Sequence, residues 1–194
     1  GIIAAGALLT YLYETQKSTM PHITTLMPYS SGKYMLIDSS SRRNLELVET
    51  MREKQKKGSL LWVLDKTKTA MGARMLRSYI EQPLINKDEI IRRQDAIEEL
   101  NDCMIDREEL REYLNPVYDM ERIMTKISCK TANPRDLIAF RNTLEMIPHI
   151  KRIIGNFKAP MFTDCFNKMD DLSDLYQLVL FAIVDEPPIS VRDG

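Results

Sequence analysis

The stretch DKTKTAMGARMLRSYIEQPL, Asp65 to Leu84, sets Lys66, Thr67, Lys68, Thr69 and Gly72 just ahead of an apolar helical pattern. These are the residue types of a phosphate cradle. Such a cradle needs glycines at both ends of a loop whose backbone N–H groups converge, closed by a Lys-Ser/Thr pair entering the helix. Here there is one glycine, and both lysines precede the helix instead of entering it. A helix N-terminus alone can attract an anion. A capped helix accounts for more of the residues, with Thr69 as the cap and Gly72 allowing close approach of a neighbouring group.

Other chemistry-bearing patterns are sparse. Glu98–Glu99, Glu108–Glu109 and Asp170–Asp171 are adjacent in sequence. Helical neighbours point about 100° apart, so these pairs do not face each other and predict a solvated surface. The two histidines, His22 and His149, have no cysteine or carboxylate at i+3 or i+4 to complete a metal-ligand pair. No Gly-x-Ser-x-Gly elbow occurs, and no cysteine is tied to a histidine by spacing. An enzyme is therefore disfavoured: the reading assigns no catalytic, cofactor-binding or metal-binding residue.

Positive charge does concentrate locally. Arg42, Arg43, Arg52, Lys54, Lys56, Lys57, Lys66, Lys68, Arg74 and Arg77 share one segment, diluted by Asp38, Glu46, Glu49, Glu53 and Asp65. Contact with a DNA backbone through Arg42, Arg43, Lys56 and Lys57 is the reading this allows. Trp62 stands alone, so the interleaved aromatics of a single-strand binder are missing. Over the 194 residues the formal net charge is only -1, which leaves no global footprint for nucleic acid or acidic membranes.

With 44% apolar and 28% charged residues, the chain has the composition of a globular domain. Cys103, Cys129 and Cys165 are odd in number and scattered, which predicts a reducing, cytoplasmic setting. The opening GIIAAGALL resembles a signal-peptide core but lacks a basic leader and a cleavage site. No apolar run approaches the ~20 residues of a membrane span. A start at Gly1 and an end at ISVRDG without a helix signal predict a piece of a longer protein.

Helical periodicity dominates the elements that must position these residues. It predicts a helix from Ile2 to about Gln16, with Ala5, Leu8, Leu9 and Leu12 on one side. The runs ITTLM and YMLI around YSSGK predict a small hairpin, with Pro28 demoting its first arm. SRRNLELVETMR reads as a helix bearing Leu45, Val48 and Met51, ended by the basic turn EKQKKGS. Thr69, Asn86 and Asp106 are expected N-caps, the last two followed by Glu89 and Glu109 in capping-box spacing. Asn115-Pro116 and Asn133-Pro134 each read as N-cap and first helical residue. A last helix over LSDLYQLVLFAIV stops at DEPP. Seven or eight helices with one minor hairpin result, and Met71, Met75, Met120 and Met124 fall on apolar stripes as core filling.

Four segments then match one family in order and spacing: IDSSSRRNLELVET, GSLLWVLDKTKTAMGARMLRSYIEQPL, IRRQDAIEEL and AIVDEPP. The chain resembles the core, or lever, region of the MutS family of DNA mismatch repair proteins, most strongly over residues 38–100. The positions carrying the resemblance are Asp38, Arg42, Arg43, Asn44, Leu45, Glu46, Leu64, Asp65, Met71, Gly72, Arg74, Leu76 and Pro83, taken as structural positions. The lysine-rich turn EKQKKGS departs from the pattern, since many relatives have a glycine-containing turn of variable length there. The resemblance implies a mostly α bundle, with residues 1–20 as a helix leading in from a connector domain and 21–194 as the first part of the core, ending before the clamp. It implies a parent that binds mismatched DNA as a homodimer, works with other mismatch repair proteins, and binds ATP and magnesium in a separate ATPase domain. This chain would supply a non-catalytic element coupling ATPase state to DNA clamping; a self-standing module binding DNA or a partner through the Arg42–Arg77 face is the alternative. The lever helices of the family return after the clamp, so an apolar stripe in this chain is expected to lack its partner and to promote self-association.

Overall fold

The computed structural model describes residues 1–17, 23, 25–27 and 31–188. The chain divides into two compact units, Gly1–Gly32 and Lys33–Gly194.

The first unit contains α1, Ile2–Gln16, with the bounds its periodicity predicts. It ends where Lys17 turns left-handed (φ 48°) and donates its N–H to the Tyr13 carbonyl. Ala5, Leu9 and Leu12 are half-buried, while Leu8, expected on the same side, is 58% exposed.

The regular elements described in the second unit are helices. Its elements are α2 (Ser39–Asn44), α3 (Leu60–Leu64), α4 (Ala70–Glu81), α5 (Lys87–Asp102), α6 (Met104–Leu114), α7 (Met120–Ser128), α8 (Pro134–Ile154), α9 (Pro160–Lys168) and α10 (Ser173–Ala182). The expected hairpin is not supported: among the described residues no strand forms, and Tyr34 makes an isolated antiparallel bridge with Leu84 instead. The reason lies at Pro83, which stops α4 and leaves its carbonyl free to accept from Met35 N–H at 2.8 Å. Pro28 and Tyr29, on the expected first arm and turn, lie outside the described residues, as does His22.

The longest helix, α8, organises the bundle by packing against α6, α7, α9 and α10, while α5 packs against α6 and α9. Its start is the N-cap expected at Asn133, which the structure extends to a capping box: the side chain accepts from Asp136 N–H at 2.9 Å, and the Asp136 carboxylate accepts from Asn133 N–H at 3.0 Å. Phe140 and Leu144 on α8 meet Ile123 of α7 and Val179 of α10 in the main core. Toward the other end of α8, Ile150, Ile153 and Ile154 are buried, as are Phe157, Ala159 and, on α5, Ala96. The Thr143 hydroxyl, buried in the same helix, accepts from Tyr118 N–H at 3.0 Å and so draws the α6–α7 loop onto α8.

Several boundaries differ from the sequence expectation. The helix at SRRN stops at Asn44, because Glu46 turns left-handed (φ 47°) and its carbonyl accepts from Leu60 N–H at 3.0 Å. Leu47 is consequently the buried residue, whereas Leu45 and Met51 are exposed. Asp106 is not a cap but a first-turn residue of α6, which starts after Cys103 without a side-chain cap. Asn115 closes α6 instead of opening α7, and Asp119 caps α7 through Arg122 N–H. Two helices, α3 and α9, were not legible in the sequence: α3, at five residues, is too short to show a repeat, and α9 has no side-chain cap to mark its start.

Candidate functional site

The residues between Asp38 and Glu81 form a self-capped polar scaffold. Asp38 opens α2 by accepting from Ser41 N–H at 2.9 Å and from the Ser41 hydroxyl at 2.6 Å, bonds that hold its carboxyl below the usual carboxylate range. Arg42 donates its Nε–H to the Ile37 carbonyl at 3.1 Å. Glu46 accepts from Met51 N–H at 2.7 Å, which fastens the turn after α2. The basic turn is closed by Gly58 at φ 94°, a left-handed value that a side chain resists. Ser59, fully buried, then caps α3: its hydroxyl donates to the Lys56 carbonyl at 2.7 Å and accepts from Trp62 N–H at 3.2 Å.

Asp65 is the next anchor. Its carboxylate pairs with Lys56 and accepts from the Thr67 hydroxyl at 2.6 Å, and these contacts depress its pKa to about 2. Thr69 caps α4 by accepting from Gly72 N–H at 3.0 Å. A Cβ on Gly72 would sit 3.0 Å from that same hydroxyl. The segment that could have cradled a phosphate is thus occupied by its own cap: the Gly72 N–H that an anion would need is already satisfied.

Arg74, on α4, reaches out of the scaffold to the start of α7. Its guanidinium grips Asp119 with both terminal nitrogens, each at 2.7 Å, and donates through Nε to Glu121 at 3.0 Å. Arg74 pulls the Asp119 pKa down to about 2. Asp119 is also the cap of α7, so one carboxylate both starts that helix and receives the bidentate arginine. The α4–α7 connection is made by ion pairs, in contrast to the apolar seams of α8. Sequence reading missed Asp119 and Glu121 because it placed the α7 cap at Asn115; the signal available was an Asp three residues ahead of Arg122 in a DMER run.

Four of the ten cations of the basic segment meet internal acceptors, while Arg43, Arg52, Lys54, Lys57, Lys66 and Lys68 are exposed. Lys56 is held by Asp65, Arg74 by Asp119 and Glu121, Arg77 by Glu81 at 3.3 Å, and Arg42 by a backbone carbonyl. Of the four residues read as DNA-backbone candidates, only Arg43 and Lys57 are exposed without a charge partner among the described residues. Among the family-pattern positions, Asn44, Leu45 and Leu64 are exposed, Met71 and Leu76 are half-buried on α4, and Pro83 lends its carbonyl to Met35.

The adjacent acids depart from the expected solvated helix face: Asp170 and Asp171 lie between α9 and α10, and one acid of each pair is tied to another element. Glu99 accepts from the backbone N–H groups of Lys158 and Ala159 at 2.6 and 2.7 Å, while Glu109 pairs with Arg152 and Asp171 with Lys151. His149 stacks on Tyr113, ring centroids 4.8 Å apart.

A family model described as MutS domain III matches residues 40–194, which takes in the scaffold from Ser40 onward and the helical bundle. The chain belongs to the MutS domain III family. It is 61% identical over its full length to the DNA mismatch repair protein MutS of Lachnoclostridium phytofermentans, covering 21% of that protein. Over 98% of the chain it is 51% identical to the protein of the same name from Ruminiclostridium cellulolyticum, and over its full length 49% identical to that from Acetivibrio thermocellus, covering 22% of each. The chain therefore spans about a fifth of the length of these curated relatives. As a MutS domain III it is a module of a mismatch repair protein, mostly helical, and among its described residues no helix is long and apolar enough to cross a membrane.

Proposed function

We propose that this MutS domain III is a non-catalytic transmission element, which couples nucleotide state in an ATPase domain to DNA grip in a clamp. The observation that carries the reading is the clasp of Arg74 on Asp119 and Glu121. It ties the Asp38–Glu81 scaffold to the α7 end of the bundle through exposed ion pairs instead of a shared apolar core. Ion pairs can be exchanged without opening a cavity, so such a junction suits helices that pass between two packing arrangements. The internal acceptors of Arg42, Lys56, Arg74 and Arg77 support a structural use of those four cations.

In this reading residues 1–20 lead in from a connector domain and 21–194 are the first part of the core. The thirteen family-pattern positions from Asp38 to Pro83 serve structure. The whole protein binds mismatched DNA as a homodimer, takes ATP and magnesium in its own ATPase domain, meets other mismatch repair proteins, and works in the cytoplasm.

Two measurements test this. Fluorescence anisotropy of matched and mismatched duplexes, titrated with this chain, should show no binding at physiological salt. Tight, salt-resistant binding weakened by Arg43→Glu or Lys57→Glu would instead hand the function to the Arg42–Arg77 face. In the full-length parent, Arg74→Lys should leave mismatch binding and ATP hydrolysis in place while reducing the change in DNA affinity that ATP produces. An unchanged ATP response would remove the clasp from the transmission path.

A further inference from the structure

Between α5 and α9 the bundle leaves an open cleft of about 590 Å³. Its floor is apolar, formed by Leu84, Met161 and Met169. Its rim is charged, and the charges are unevenly committed. Asp164 is engaged by Arg92, and Glu89 by Lys33 at 3.3 Å. The rim charges left without an ion-pair partner among the described residues are the cations Arg93 and Lys168. Arg93 lies with its guanidinium 3.6 Å above the Tyr79 ring, and Lys168 is exposed without an ion-pair partner among the described residues. Arg92 adds a buried Nε–H that has no acceptor among the described residues.

An apolar floor beneath free donors of one sign is complementary to an aliphatic side chain carried beside a carboxylate. The cleft is open to solvent, so it does not wrap a small molecule. It suits side chains presented by an extended segment. The two methionines in the floor can repack around aliphatic groups of differing shape.

We infer that the α5–α9 cleft docks a peptide segment of a partner protein in which an acidic residue adjoins a leucine-like one. Arg93 and Lys168 take the carboxylate, and Leu84, Met161 and Met169 take the aliphatic side chain. This surface is separate from the Arg42–Arg77 face, and its assignment does not depend on the transmission reading.

Cys165 lines the same cleft and is exposed, whereas Cys129, also exposed, lies outside it. Alkylation of the full chain by iodoacetamide, followed at each cysteine by mass spectrometry, therefore reports occupancy of the cleft with an internal control. An acetylated Gly-Glu-Leu-Glu-Gly peptide should slow alkylation of Cys165 saturably and leave Cys129 unchanged. The Gly-Lys-Leu-Lys-Gly and Gly-Glu-Ser-Glu-Gly peptides should not protect. Lys168→Glu should weaken protection by about tenfold, and Arg93→Glu by as much. Arg93→Glu also breaks the Tyr79 contact; if far-UV circular dichroism shows that variant unfolded, Lys168→Glu, on an exposed side chain, carries the test. No protection at millimolar peptide, equal protection by the lysine peptide, or indifference to Lys168→Glu would each overturn the assignment.

Discussion

Gly72→Ala is the substitution that weighs the two readings of the Lys66–Gly72 segment against each other. Gly72 is a helical residue of α4, and glycine there is less favourable than alanine by roughly 0.5–1 kcal/mol. The added Cβ, however, would meet the Thr69 hydroxyl at 3.0 Å, and that hydroxyl is the acceptor capping the helix. Displacing it forfeits a cap worth about 1 kcal/mol. The two effects oppose each other and are of similar size, so Gly72→Ala alone should change stability by no more than about 0.5 kcal/mol. Thr69→Ala alone should destabilise by about 1 kcal/mol. In the Thr69→Ala background the obstructing oxygen is gone, so Gly72→Ala should stabilise by the full propensity gain, roughly 0.5–1 kcal/mol. The coupling between the two sites is therefore about 1 kcal/mol, large enough to resolve by a double-mutant cycle. Equilibrium urea unfolding of the four proteins, followed by far-UV circular dichroism, measures it. Equal stabilisation by Gly72→Ala in both backgrounds would show that the cap and the glycine do not meet. A loss above about 2 kcal/mol in both would mean that Gly72 makes way for something other than Thr69. Inorganic phosphate, compared with chloride at equal ionic strength, should raise the midpoint of none of the four; a rise lost on Gly72→Ala would restore the phosphate cradle.

Acid should act through Asp65 and Asp119. Both are held at about 2, below the ordinary carboxylate value of 3.8, so the stability they contribute is fully present above pH 4 and is lost as pH falls toward 2. Asp119→Asn should flatten that part of a pH–stability curve, and an unchanged curve would discredit the Arg74 clasp. Leu144→Ala, at a side chain only 1% exposed where α7, α8 and α10 meet, should destabilise by about 3 kcal/mol and lower Tm by roughly 6–12 °C in calorimetry; a shift under 2 °C would mean the core can collapse around the cavity. On α10, Leu178 and Phe181 are 61% and 94% exposed, one turn apart. Replacing both with Glu should leave unfolding free energy within about 0.5 kcal/mol and shift sedimentation toward monomer. A chain already monomeric by sedimentation would refute the expectation of self-association.

What could be read from residues alone was whatever is settled within one helical turn. The first N–H groups of a helix need an acceptor a fixed number of residues back, so Thr69, Asn86 and Asn133 announced α4, α5 and α8. Sustained apolar spacing announced α1 and α10, and ordered matching of long segments announced the family. Two helices escaped: α3 presents too few turns for a period, and α9 has no side-chain cap of its own, since Glu99 from α5 takes up the backbone N–H groups just ahead of it. Competing local signals also misled. Asn115-Pro116 is a sound helix start in isolation, yet Asn115 closes α6 and the start passes to Asp119, where the carboxylate gains Arg74 as well. The hairpin failed for the same kind of reason, because a strand's partner is chosen in space, and the Pro83 carbonyl was the acceptor available to Met35.

The sequence by itself determined that this is a helical member of the MutS domain III family with a cap where a phosphate loop could have been. Tertiary structure alone decided which charges are spent between elements and which are left over. Arg74 and Asp119 are 45 residues apart, and Lys33 and Glu89 more distant still, so no periodicity or propensity relates them. Such pairs form only once packed helices have set the distances, and that residual charge, far more than the -1 carried by the whole chain, is what another molecule meets.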